Sequence, residues 1–166
     1  MAHNPTAQNA TGQNPPTQNA RDTANRRSVT LHRQEKGRYV ATNVRGGTVT
    51  IGSGADDDFT PVELLLAAIA GCSAVDVDFI TGKRSEPETF AATASGTKIN
   101  DELGNRLIDL LLDFDVSFPD DEGGRRAGEV LERSIRQSHD RLCTVGRTVE
   151  TGPTITTALR DRTIAG

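Results

Sequence analysis

The chain has 166 residues, the size of one ordinary domain. It is mildly acidic, with 23 Asp and Glu against 19 Lys and Arg, and only 4% of it is aromatic, with no Trp. That balance argues against a nucleic-acid partner, which would call for a basic face and stacking platforms, and against docking on an anionic membrane. No run reaches the roughly 18 uninterrupted apolar residues of a spanning helix. The start, Met1-Ala2-His3-Asn4-Pro5, lacks the basic and apolar stretches of a secretory leader. A cytoplasmic location is therefore expected, and there two cysteines are more often reactive or buried than permanently bridged.

Residues 1–27 are rich in Asn, Gln, Thr, Ala and Pro and hold almost no apolar side chain larger than Ala. Such a segment cannot bury enough surface to offset its ordering entropy, so a disordered low-complexity tail is expected, with a single domain over 28–166. From Ser28, the alternation of Val29, Leu31 and Arg33 with Thr30 and His32 predicts a strand. Lys36-Gly37 predicts a turn, and Tyr39–Val44 and Thr48–Ile51 predict two strands joined by a hairpin turn at Arg45-Gly46-Gly47.

Thr60 opens the clearest helix. It has Thr at the cap, Pro61 at the first helical position and Glu63 at the third, a Thr-x-x-Glu capping box. The helix is expected to run to about Ile80, and residues 64–72 are apolar on every face. A helix apolar all round is buried all round. One layer of sheet covers one side of it, so the expected cover for the other is a second subunit, giving a homodimer. Gly71 costs about 1 kcal/mol against Ala in a helix and suggests that another group approaches closely there.

After Arg84 the period changes to two. Phe90–Ile99 and Leu107–Phe118 predict a long antiparallel pair, residues 124–139 an amphipathic helix, the segment around Cys143 a short helix, and Ile155–Leu159 a last strand. The whole is α+β with antiparallel sheet.

Cys72 and Cys143 are the residues with chemistry to offer, although a free cysteine commonly packs as a small hydrophobe. A metal site needs three or four ligands, usually closely paired. There is no Cys-x-x-Cys, and of the three histidines only His139 lies near Cys143 in the chain, so no metal and no cofactor is expected. A Gly-x-Ser-x-Gly elbow is missing as well, which leaves serine hydrolysis without a nucleophile.

The stretch Thr60-Pro61-Val62-Glu63-Leu64-Leu65-Leu66-Ala67-Ala68-Ile69-Ala70-Gly71-Cys72 resembles the central-helix signature of the OsmC/Ohr family, and Leu142-Cys143-Thr144-Val145 resembles its second cysteine motif. The resemblance spans about Ser28 to Leu159. It implies an OsmC-like fold, with antiparallel sheets wrapped around a long buried central helix in an intertwined homodimer. It also implies a thiol peroxidase that reduces organic hydroperoxides. Cys72 would attack as a thiolate and become a sulfenic acid, Cys143 would condense with it to a disulfide, and a dithiol or low-molecular-weight thiol would restore both. Such a thiolate needs a cation, which the family supplies as an Arg held by a carboxylate just after the helix-start proline. Here Val62 comes directly after Pro61 and Glu63 one step later, about 100° around the helix. Glu63 and Arg45 are the candidates for that pair, with Arg33, Arg38, Arg141 and Arg147 as rivals for the cation. The alternative is a homodimer without peroxidase activity that binds a small hydrophobic molecule, with Cys72 as a core residue.

Overall fold

The computed structural model describes residues 25–159 and 162–163, so most of the expected tail lies outside the described residues. They fall into two compact units, one ending at Ile51 and the other beginning at Gly52.

The first unit is an antiparallel sheet of β1 (Val29–Glu35), β2 (Arg38–Asn43) and β3 (Thr48–Ile51), in that order. Gly37 turns β1 into β2 at φ 78°. The second turn is built by Asn43, whose side-chain Oδ1 accepts from the N–H groups of Arg45 at 2.8 Å and Gly47 at 3.1 Å. Ala41 and Ile51 are the buried apolar residues of this unit.

The second unit carries α1 (Pro61–Thr81), the hairpin β4 (Thr89–Asp101) and β5 (Gly104–Ser117), α2 (Glu122–Gln137) and α3 (Thr144–Thr151). A π-helical turn, Ser138–Leu142, joins α2 to Cys143. The expected capping box is present at the start of α1: the Thr60 side chain accepts from the Glu63 N–H, and the Glu63 side chain accepts from the Thr60 N–H at 2.7 Å. The hairpin pairs Thr89 with Ser117 at one end and Asp101 with Gly104 at the other. Its register slips once, between Ser95 and Thr97, where Asp109 takes φ 53° and an extra residue of β5 is accommodated. The Phe90 and Phe114 rings meet edge to face with centroids 6.2 Å apart.

Several expectations need correction. The second helix begins at Glu122, two residues early, because Asp121 caps it by accepting from the Gly124 N–H at 2.7 Å. The last strand is only Ala158–Leu159, paired with Arg162–Thr163, and Ile155 is 88% exposed outside it. Within one chain α1 is covered on one side, which agrees with the sequence reading. Packed against α2, α3 and β4, it buries only Ser73, Val77 and Thr81, a single stripe repeating every fourth residue. Val75 and Phe79, one turn apart on another face, remain 53% and 71% exposed. Among the described residues no group approaches Gly71, where an added Cβ would meet nothing within 4 Å, so the close approach expected there is not made within them. Although no apolar run is uninterrupted for long enough, α1 as a whole is long and apolar enough to cross a membrane by length and composition, a test that core helices also pass.

Candidate functional site

Ser73 on the inward stripe of α1, with the half-buried Cys72 beside it, lies near Cys143 at the start of α3. Cys143 sits there as the N-cap of that helix, only 2% exposed, and its Sγ accepts from the Gly146 N–H at 3.2 Å. A Cβ at position 146 would come within 3.3 Å of that sulfur, so glycine lets the backbone approach the thiol. The two cysteines are free and stand near enough that each shifts the ionisation of the other. The sequence is thus folded so that residues from the middle and the end of the chain meet at one point.

The surroundings treat the two thiols differently. At Cys72, burial pushes the thiol up. The Val145 N–H pulls it back in part, while the neighbouring Cys143 and the negative charge of Asp76 push it further, and it ends above the ordinary thiol value. Burial also pushes Cys143 up, but the Ser73 hydroxyl, the Cys72 thiol and the N–H groups of Gly146 and Val145 outweigh it, and Cys143 ends below the ordinary value. The surroundings thus ease ionisation at Cys143 and oppose it at Cys72.

A cavity of about 310 Å³ opens beside the pair. Leu66, Ile69, Leu110, Leu111 and Val149 form its apolar wall, and Ser73, Cys143, His139 and Glu150 are among its polar lining. His139 Nε2 lies 3.6 Å from Glu150 Oε1, and Arg147 pairs with the other oxygen of Glu150 at 2.6 Å. Such a pocket suits a molecule with an apolar body and one polar group.

Of the other residues singled out from the sequence, Arg147 reaches the cavity wall through Glu150, and Glu63 serves the helix cap. Glu63 Oε2 accepts from the N–H and the hydroxyl of Thr60, at 2.7 and 2.8 Å. These bonds, the backbone one foremost, hold its carboxyl below the ordinary range. Arg45 is exposed on the β2–β3 turn of the first unit. Val62 is 40% exposed in the first turn of α1. Sequence reasoning passed over Ser73, Asp76 and Gly146. The signal for the first two was present, because they are the first polar residues after the apolar run of residues 64–72, one and four positions after Cys72.

Residues 54–158 match the family described as OsmC-like protein. An uncharacterized protein of Mycobacterium tuberculosis is 32% identical over 120 residues, covering 71% of this chain and 85% of that protein. An OsmC-like protein of unknown function from Vibrio cholerae has a similar structure, with a TM-score of 0.63 at 16% identity over 75% of this chain and 94% of that one. A structure of an organic hydroperoxide resistance protein OsmC from Legionella pneumophila superposes with a TM-score of 0.53 at 13% identity, over 75% of this chain and 88% of that one. With its paired thiols, α+β architecture and matched helix signature, the chain belongs to the OsmC-like protein family.

Proposed function

We propose that this protein is a cytoplasmic thiol peroxidase that reduces organic hydroperoxides and works as a homodimer whose partner covers the outer face of α1. The observation that carries the reading is the proximity of the Cys72 and Cys143 thiols, each shifting the other's ionisation, beside an apolar cavity lined by Cys143. The chemistry balances with the groups present. Cys72 passes its proton to the Cys143 thiolate, and the Cys72 sulfur attacks the terminal peroxide oxygen. The O–O bond breaks, and the departing alkoxide takes the proton back from Cys143 and leaves as the alcohol. Cys143 then attacks the Cys72 sulfenic acid, an S–S bond forms, and hydroxide leaves as water after taking a proton from solvent. A dithiol or low-molecular-weight thiol returns two electrons to the disulfide. Arg45 is the candidate for a cation that assists the Cys72 thiolate, and Glu63 for the carboxylate that would hold it.

The test is a sub-stoichiometric pulse of an organic hydroperoxide on reduced protein, with hydrogen peroxide for comparison, and then mapping of the cysteines by mass spectrometry. A rapid Cys72–Cys143 disulfide, lost in Cys72→Ser, is the expected result. Cysteines that remain reduced through many equivalents would remove the peroxidase reading. In its place would stand the second reading, a binder of a small hydrophobic molecule, which the apolar wall of the cavity and the raised position of Cys72 favour.

A further inference from the structure

Asp76 lies one turn beyond Cys72 on α1. Its Oδ2 accepts from the Ser138 hydroxyl at 2.9 Å, a bond between residues 62 positions apart in the chain. Ser138 is fully buried and begins the π-helical turn. Its backbone carbonyl accepts the Cys143 N–H at 2.9 Å. Two hydrogen bonds thus lead from a carboxylate next to the first thiol to the backbone of the second. A π-helical turn is rare, and such turns recur at functional sites, where the wider turn shifts the residues after it. A hydroxyl bound to a carboxylate is one of the stronger tethers available to hold it.

We propose that Asp76 is the positioning residue of the thiol pair: through Ser138 it clamps the turn that carries Cys143 and so holds the second thiol against the first. This rests on reading the two cysteines as a working redox pair, and it adds a residue that acts on both. The same carboxylate sets its negative charge beside Cys72 and opposes ionisation there. The groups facing the pair are Asp76 and Ser73 from α1, and Gly146 and Val145 N–H from the start of α3, with His139 and Glu150 in the cavity wall. Of these, Asp76 alone couples the charge at Cys72 to the placement of Cys143.

The full-length wild type, Asp76→Ala, Asp76→Asn and Ser138→Ala are equilibrated in glutathione redox buffers, and the disulfide fraction is read by alkylation and mass spectrometry. The pH midpoint of Cys72 alkylation is measured on the same proteins. No peroxide enters this assay, so failure of the peroxidase reading leaves its result intact. Asp76→Ala and Ser138→Ala are expected to lower the equilibrium constant for disulfide formation by roughly tenfold or more, the worth of one hydrogen bond to a charged group. Asp76→Asn keeps an acceptor oxygen and should stay near the wild type in that measurement. Both Asp76 variants, but not Ser138→Ala, should move the Cys72 midpoint to lower pH, which loss of packing alone would not do. Should Asp76→Ala fail to fold, the asparagine and serine variants still decide the matter. Unchanged disulfide equilibria in Ser138→Ala, an unchanged Cys72 midpoint in Asp76→Asn, or a wild-type pair that never closes would each overturn the proposal.

Discussion

Two helices of the second unit, α1 and α2, solve the same problem in opposite ways. α2 buries Gly124, Ala127 and Ser134 and turns a charged face outward, where Arg125 bridges Glu122 at 2.5 Å and Glu129 at 2.6 Å. Its own chain completes it. α1 buries a stripe of Ser73, Val77 and Thr81, two of them polar, and leaves Val62, Leu65, Val75 and Phe79 in the open. A helix that places hydroxyls inward and Phe outward is what the proposed homodimer would complete, with its own chain covering one side and the partner the other. A charged outer face thus suits a helix to solvent, whereas the apolar outer face of α1 is where the proposed partner would sit.

The harshest way to break this comparison is to make the outer face of α1 resemble that of α2. Phe79→Asp is expected to reduce the species seen in sedimentation from two chains to one, because a carboxylate cannot be buried unpaired in an apolar interface. A wild type that already sediments as one chain would rule out a covered face. Gly71→Ala sharpens the same question at smaller amplitude. If no other chain approaches, the substitution should stabilise α1 by about 1 kcal/mol in denaturant unfolding, through helix propensity alone. If the partner packs against the glycine, it should weaken the dimer instead. Smaller again is the capping box. Thr60→Ala should cost about 1 kcal/mol or less. Because Glu63 is held below its ordinary 4.5 by Thr60, the box contributes fully above that pH and fades as pH falls through the lower folded value. An acid titration of stability in which Glu63→Gln behaves like the wild type would show that the charge is idle there.

Much of this architecture was legible in the sequence because it rests on local chemistry. Thr60, Pro61 and Glu63 announce the start of α1, and the two long runs around Asn100–Asn105 announce the hairpin. The meeting of Cys72 with Cys143 was expected only through the family resemblance, since no local rule brings together residues so far apart. The network behind them was harder still. Ser138 reads as one more position of an amphipathic helix, and only the π-helical turn reveals that it faces Asp76 rather than solvent. Ile155 misled because an apolar residue near the end of a chain fits a strand pattern whether or not a partner strand lies beside it.

The span between the two thiols has a thermodynamic consequence of its own. Cys72 and Cys143 are 71 positions apart, and the loop between them encloses β4, β5 and α2. A bridge across a loop of that length removes conformational entropy from the unfolded chain worth up to about 4 kcal/mol. The oxidised protein should accordingly melt on the order of 10 °C above the reduced one in calorimetry with and without dithiothreitol, by the usual scaling for a chain of this size. On the proposed peroxidase reading, each turnover would take the fold through a tighter and a looser state, and a stalled reductant would leave the form most resistant to unfolding and proteolysis.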